Sequence, residues 1–195
     1  MKIIAIKGNY NISKVVSDSC VSVSDAHVIA DSALTKSGKP VFLPSIAGKW
    51  LLNVTLVLSI GRLGKHISSR FASRYIDGIA AGFSLTATEP DNGELVRSMD
   101  GAAMVGNFVP FTDTAQLADA RISVAVNGEP SRPVFSSANL VIPPLELISQ
   151  LSRYVTLKMG DLIFTSQSCC DIHPVIGDNI TAKLNETDNL KIRFR

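Results

Sequence analysis

Thiols, imidazoles and paired carboxylates are the side chains from which active sites are most often built, and this sequence gathers few of them. The densest run is Cys169-Cys170-Asp171-Ile172-His173. Its residue types suit two chemistries: a zinc site, or a nucleophilic thiol activated by an imidazole. Spacing argues against the zinc site, because adjacent cysteines point in different directions and no second Cys or His pair stands at zinc-ligand spacing. Cys20 is the third thiol. The run is read as an ordinary loop, with a Cys-His enzyme kept as an alternative. His66, in Gly64-Lys65-His66-Ile67, reads as a turn histidine, and His27 falls in a stretch, 22–39, that reads as irregular. No Gly-rich phosphate loop and no Gly-x-Ser-x-Gly elbow is present.

Strand alternation carries a second set of polar groups. Over 52–60, Leu52, Val54, Leu56, Leu58 and Ile60 point one way, and Asn53, Thr55, Val57 and Ser59 the other. Over 79–88, Ile79, Ala81, Phe83, Leu85 and Ala87 share a face opposite Gly82, Ser84, Thr86 and Thr88. Each segment is a long strand with one hydrocarbon face and one small, hydroxyl-rich face. That second face either lines a cavity or meets solvent, since antiparallel sheets are commonly wet on one side.

The elements that must position these strands are mostly strands themselves. An opening strand starts at Ile3, and others are expected at 41–43, 121–126, 162–165, 180–184 and 190–194. Asn127-Gly128 is a type I′ hairpin signal, and Gly160-Asp161 and Gly177-Asp178 supply turns just ahead of strands. Residues 185–189 read as the loop of a last hairpin. Ser68 and Ser69 can cap a short helix carrying Phe71, Ala72 and Tyr75. Pro143-Pro144 opens a clearer helix, with Leu145, Ile148, Leu151 and Ser152 at helical spacing and Glu146 in its first turn.

Composition narrows the class. Of 195 residues, 46% are hydrophobic and 18% charged, below the usual quarter. That excludes intrinsic disorder, and no run is long and apolar enough to span a bilayer as a helix. Nineteen basic and seventeen acidic residues are scattered, leaving no footprint for nucleic acid. So little charge suggests a surface covered by a second subunit. The opening apolar run is too short for a signal peptide, and three cysteines with no disulfide pattern point to a reduced, cytoplasmic protein.

The order of several motifs resembles the fumarylacetoacetate hydrolase family in its short bacterial form. They are Asn9-Tyr10, Pro40-Val41-Phe42, Ile60-Gly61-Arg62-Leu63-Gly64, Tyr75-Ile76-Asp77-Gly78, Val126-Asn127-Gly128-Glu129, Leu147-Ile148-Ser149-Gln150-Leu151, and the two Gly-Asp turns. The resemblance spans nearly the whole chain. It implies a mixed β-sandwich roll, usually a homodimer, acting on acylpyruvate-type substrates or related 2-oxo acids. It also implies Mg²⁺ or a similar hard cation held by a Glu-x-Glu pair on one strand and an aspartate on the next. Residues i and i+2 of a strand share a face, so two carboxylates can grip one ion, which then polarises the keto-enolate oxygens.

At the positions the resemblance assigns to that chemistry, this sequence differs. Asn53 and Thr55 stand for the two glutamates, Ser84 for the aspartate and Thr88 for a following arginine. Ser13 and Gly8 replace a histidine and an arginine, Arg97 a lysine, and Thr165-Ser166-Gln167-Ser168 the Thr-Gly-Thr-Pro of the pocket rim. Neutral oxygens supply no charge to offset dehydration of Mg²⁺, so no cofactor is expected. Glu89, Glu94 or Asp100 is the substitute ligand if a rearranged metal site exists. The remaining pocket candidates are Asn9, Tyr10, Asn53, Thr55, Ser84, Thr88, Arg97, Ser166 and Gln167, which either bind a small molecule or keep an inherited cavity wet.

These readings give one mostly β (α+β) domain over 1–195, a fumarylacetoacetate hydrolase-type mixed β-sandwich roll with two or so short helices. An N-terminal strand and shortened lid-like segment take up 1–40, and the β-roll core 41–195. The expected function is that of a catalytically degenerate homologue, serving as a scaffold or as a ligand- or partner-binding protein. One alternative is an active hydrolase or decarboxylase of acylpyruvates or other 2-oxo acids with a rearranged metal site. The other is a metal-independent enzyme built on Cys169 and His173. Expected partners are a second copy, or a complete paralogue in a heterodimer, and a small molecule, with no nucleic acid and no membrane.

Overall fold

Thirteen strands organise the described part of the chain. The structure is a computed structural model that describes residues 1–11, 22–23, 26–45, 48–89 and 94–195, without the side chains of 88, 89, 94, 131–134 and 168–171. Ser13 and Cys20, and the side chains of Thr88, Glu89, Glu94, Cys169 and Cys170, therefore lie outside the described residues. In chain order the strands are β1 (Ile3–Lys7), β2 (Ala26–Ile29), β3 (Leu34–Lys36), β4 (Pro40–Val41), β5 (Lys49–Ile60), β6 (Ile76–Glu89) and β7 (Ala103–Val105). They continue with β8 (Val109–Pro110), β9 (Arg121–Val126), β10 (Glu129–Ser136), β11 (Leu162–Ile172), β12 (Asn179–Leu184) and β13 (Thr187–Phe194). The helices are α1 (Ala115–Ala118) and α2 (Pro144–Tyr154).

One sheet runs β2-β1-β11-β5-β6-β7-β3, with β8 beside β6, and curls into a half-barrel; the second runs β10-β9-β12-β13-β4. The long pair β5–β6 is its backbone, antiparallel from Lys49 opposite Glu89 to Ile60 opposite Ile76. Its hydrocarbon face packs Leu52, Val54, Leu56, Leu58, Phe83 and Leu85 against Ile122, Ile180 and Ile192 of the smaller sheet and Leu147, Ile148 and Leu151 of α2. Burial of this apolar surface is the main stabilising term for the domain. The other face carries a smaller cluster that includes Ile3, Ala5, Val57, Ala80, Ala103 and Phe164. The expected mostly β roll is what forms.

Local chemistry explains the punctuation. Asn127 and Gly128 both take positive φ, as a type I′ hairpin turn demands. Pro144 opens α2 with its φ already suited to a first turn, and Glu146 sits near the helix N-terminus.

Five local expectations are corrected. The stretch 22–39, expected to be irregular, supplies β2 and β3, which form the two edges of the large sheet. Edge strands this short are held by backbone pairing to one neighbour and need no alternating pattern, so none is legible. The Cys169–His173 run is not a loop in its backbone: β11 continues to Ile172, with Cys169 opposite Asn53 and Ile172 opposite Leu52. A bulge between Phe164 and Ser168 lets the strand continue past the point where its apolar pattern stops. The helix after Ser68 is a 3₁₀ helix over Ser69–Tyr75, the tighter form usual in short connectors. The strand expected at 41–43 is only Pro40–Val41. The last hairpin closes on Asn185 and Glu186, both at positive φ, rather than on a five-residue loop.

Candidate functional site

The strand pair decides how Asn53, Thr55 and Ser84 meet. Asn53 and Thr55 are two apart on β5 and share its small-residue face, and register sets Ser84 of β6 directly opposite Asn53 and Gly82 opposite Thr55. All three are buried rather than wet: Asn53 is 5% exposed, Thr55 0% and Ser84 1%. Of the two readings that alternation left open for this face, solvent is excluded at these positions. Gly82 is required here, since a Cβ would stand 2.3 Å from Val57 Cγ2.

Hydrogen bonds fill most of the polar capacity. Asn53 Nδ2 donates to Ser84 O at 3.3 Å and to Thr86 Oγ1 at 3.2 Å. Thr55 Oγ1 donates to Leu56 O at 3.1 Å and accepts the Ser166 N–H at 3.1 Å. Thr165 Oγ1, 3.5 Å from Thr55 Oγ1, donates to Leu56 O at 3.0 Å. Two groups are left over: Ser84 Oγ and Ser166 Oγ are buried without a partner. An orphaned buried hydroxyl costs about 1–3 kcal/mol unless water or a ligand meets it.

A hard divalent cation does not fit these three positions. They offer one amide and two hydroxyl oxygens and no anion, and the Thr55 hydroxyl already bonds on both sides. Among the described residues, no three His, Cys, Asp or Glu side chains gather where they could hold a metal. Asp161 is the one buried carboxylate among them, and its bonds are structural. It accepts the N–H of Lys2 at 2.7 Å and of Lys158 at 2.8 Å, and pairs with Lys2 Nζ at 2.6 Å. Burial pushes this carboxyl up, but the bonds from Lys2 and Lys158 outweigh it and hold it below the ordinary value. Asp161 leads into β11 by way of the first Gly-Asp turn. By the end of β5 nearest it, Ile60, the strand has run about 24 Å from Asn53 at the usual rise.

The other candidates take different places. Asn9 is fully buried, and its amide bridges the chain: Nδ2 donates to Ile142 O and Thr165 O, and Oδ1 accepts the Ile142 N–H at 2.6 Å. Tyr10 stacks on Phe135 at 4.9 Å between ring centroids, and its hydroxyl accepts the Ser136 N–H at 3.1 Å. Asn9 and Tyr10 thus tie the first loop to the segment before α2 and to the end of β10. Arg97 sits half-buried on a 3₁₀ turn, Glu94–Ser98, that follows β6. Asp100 is exposed in the turn after it. Ser166 is buried and Gln167 half-buried along the bulged part of β11.

One residue of the face had no sequence signal. His27 of β2 lies opposite Ala5 of β1, and Gln167 Nε2 is 3.3 Å from His27 Nε2. Nothing local marks it; only strand pairing brings it there. His173, by contrast, is bound through Nδ1 to Trp50 O at 2.7 Å, and the exposed His66 takes a positive φ in its turn.

Comparison with known proteins supplies the family. The sequence pattern described as "Fumarylacetoacetate (FAA) hydrolase C-terminal" matches residues 2–193. The chain belongs to the fumarylacetoacetate hydrolase family. It is 23% identical over 176 residues to oxaloacetate tautomerase YcgM of Escherichia coli, covering 84% of this chain and 79% of that protein. It is 27% identical over 159 residues to a fumarylpyruvate hydrolase of Ralstonia sp, covering 77% and 82%. A fumarylacetoacetate hydrolase family protein from Yersinia pestis CO92 superposes with a TM-score of 0.85 at 24% identity, over 100% of this chain and 93% of that one. Fumarylpyruvate hydrolase from Pseudomonas aeruginosa, solved with Mn²⁺ and pyruvate, gives 0.81 at 21% identity, over 100% and 89%. At these identities the structural likeness establishes the fold. No helix in the described residues is long and apolar enough to cross a membrane.

Proposed function

We propose that this member of the fumarylacetoacetate hydrolase family has given up the divalent-metal reaction and keeps its fold as a binding protein. One observation carries this reading: the cluster of Asn53, Thr55 and Ser84 is neutral and buried, and its amide and threonine hydroxyl are committed to internal hydrogen bonds. A cation placed there would lose its water without gaining a counter-charge, which is unfavourable by several kcal/mol in a protein interior. Low surface charge and exposed Phe42, Leu63 and Leu95 favour a chain that pairs with a second copy or with a complete paralogue.

A second reading follows from the relatives. They are named for oxaloacetate tautomerisation and fumarylpyruvate hydrolysis, so an active enzyme for 2-oxo acids, with a rearranged metal site drawing on Glu89, Glu94 or Asp100, is the competitor. A third, a Cys169–His173 enzyme, predicts an activity lost in Cys169→Ala and indifferent to EDTA.

The deciding experiment is thermal unfolding in millimolar Mg²⁺ or Mn²⁺ against EDTA, paired with turnover assays on oxaloacetate and fumarylpyruvate. A ligand that binds only the folded state must raise the Tm by mass action. Unchanged Tm and no turnover are expected; a metal-dependent rise together with turnover overturns the reading in favour of the second.

A further inference from the structure

Two basic segments meet on one surface, although Lys65 and Arg153 are 88 residues apart in the chain. Residues 61–75, between β5 and β6, hold Arg62, Lys65, Arg70 and Arg74; residues 153–160, between α2 and β11, hold Arg153 and Lys158. Neither segment contains an Asp or Glu, while the rest of the chain has thirteen basic and seventeen acidic residues. The fold fixes the two together. Gly64 and Leu157 exchange both backbone bonds at 2.9 Å, and Lys65 Nζ donates to Arg153 O and Tyr154 O at the C-terminus of α2. A cation and an exposed apolar side chain adjoin four times here: Arg62 and Leu63, Arg70 and Phe71, Arg153 and Tyr154, Lys158 and Met159. Leu63 is 70% exposed and Met159 77%. Arg74 Cζ lies 4.8 Å from the centroid of the Phe71 ring, so guanidinium and ring are presented as one unit. Two cavities open among these residues, one of about 390 Å³ between Arg62, Arg74 and Phe111, and one of about 330 Å³ between His66, Ser69 and Arg153. Of the carboxylates nearby, Asp113 bonds to Thr114 and Ala115, Glu146 bonds to Gln150, and Asp77 is exposed at the start of β6. Among the described residues, none of the three forms an ion pair with the six cations.

We propose that this surface docks an acidic segment of another protein, one that carries apolar side chains among its carboxylates. The inference rests on the partner-binding role proposed above and not on the fate of the metal. Charge complementarity sets the sign of the partner, because six cations without ion pairs face solvent together. Leu63 and Met159 have nothing to bond on a phosphate backbone, and they leave water favourably only against other apolar groups. The cavities between the cations are concave spaces that accept protruding side chains, whereas a lipid surface is flat. A second copy pairing two-fold through this surface would set cation against cation, so the occupant is a different chain.

The probe is a fluorescein-labelled peptide repeating Glu-Glu-Leu, followed by fluorescence anisotropy. Saturable binding is expected, weakened about tenfold between about 0.1 M and about 1 M NaCl as the screening length falls from about 10 Å to about 3 Å. Arg62→Glu with Lys158→Glu should weaken it about tenfold, and Leu63→Ser with Met159→Ser about fivefold. Lys183→Glu, exposed on β12, should change nothing. Peptides repeating Gln-Gln-Leu or Glu-Glu-Ser should bind about fivefold more weakly, since each lacks half of the match. No saturable binding, or binding indifferent to both double variants, overturns the surface; pairing with a second copy or a paralogue is then read by sedimentation, and the metal reading by Tm and turnover. Tighter binding of oligothymidylate or of phosphatidylserine vesicles than of the peptide overturns the protein partner in favour of that polyanion or lipid.

Discussion

The two faces of the β5–β6 pair are made by the same strands in the same register and are almost equally buried, yet they do opposite work. On one, Leu52, Val54, Leu56, Phe83 and Leu85 have no polar atom to satisfy and fill the core between the two sheets. On the other, Asn53, Thr55 and Ser84 are packed as tightly but must find a partner for every N–H and O–H, and Ser84 has none. A core built from hydrocarbon tolerates no empty space; a core built from small polar groups tolerates no empty hydrogen bond. The two faces therefore fail differently: the first through lost packing, the second through a polar group left without its hydrogen bond.

Truncating the hydrocarbon face is the strongest test of that contrast. Phe83→Ala should cost about 3–5 kcal/mol in urea unfolding, since Phe83 is fully buried and its neighbours cannot collapse into the space. A cost below 1 kcal/mol would show the two faces to be equally forgiving. Next comes the charge at the far end of the strands. Asp161→Asn should lower stability by about 2 kcal/mol at neutral pH by stranding Lys2. The pH dependence has a definite sign: Asp161 is held below its ordinary 3.8, so its contribution is complete above that value and fades as pH falls through the lower, folded one. In acid titrations the wild type should therefore lose stability below about pH 4 more steeply than the variant.

Filling the small-residue face should matter less. Gly82→Ala puts a methyl 2.3 Å from Val57 and is expected to cost about 1–3 kcal/mol in Tm-derived stability. Smallest of all is Ser84→Ala, which removes an unpaired hydroxyl and should leave stability unchanged or raise it by up to about 1 kcal/mol. If Ser84→Ala instead destabilises by as much as Phe83→Ala, the hydroxyl has a structural partner and the contrast between the faces fails.

Much of this layout was legible in residues alone. Strict alternation over 52–60 and 79–88 assigns each side chain to its face, and Asn127-Gly128 and Pro143-Pro144 mark their turn and helix correctly. Other parts carried no local signal. Edge strands β2 and β3 have neither alternation nor a consistent apolar face, so their residues read as irregular. The Cys169–His173 run looked like a loop because its apolar pattern lapses, while backbone pairing across a bulge kept it in β11.

Strand periodicity is a property of adjacent residues, which is why the sequence by itself determined the two faces, the turns, the family resemblance and the neutrality of Asn53, Thr55 and Ser84. Whether those neutral groups are buried, and which are satisfied, was decided only by tertiary structure. Thr55 takes its bond from the amide of Ser166, 111 residues away, and His27 meets Gln167 across 140. Such partners depend on strand order, register and one bulge, quantities set by the packing of the whole sheet rather than by any short stretch of chain.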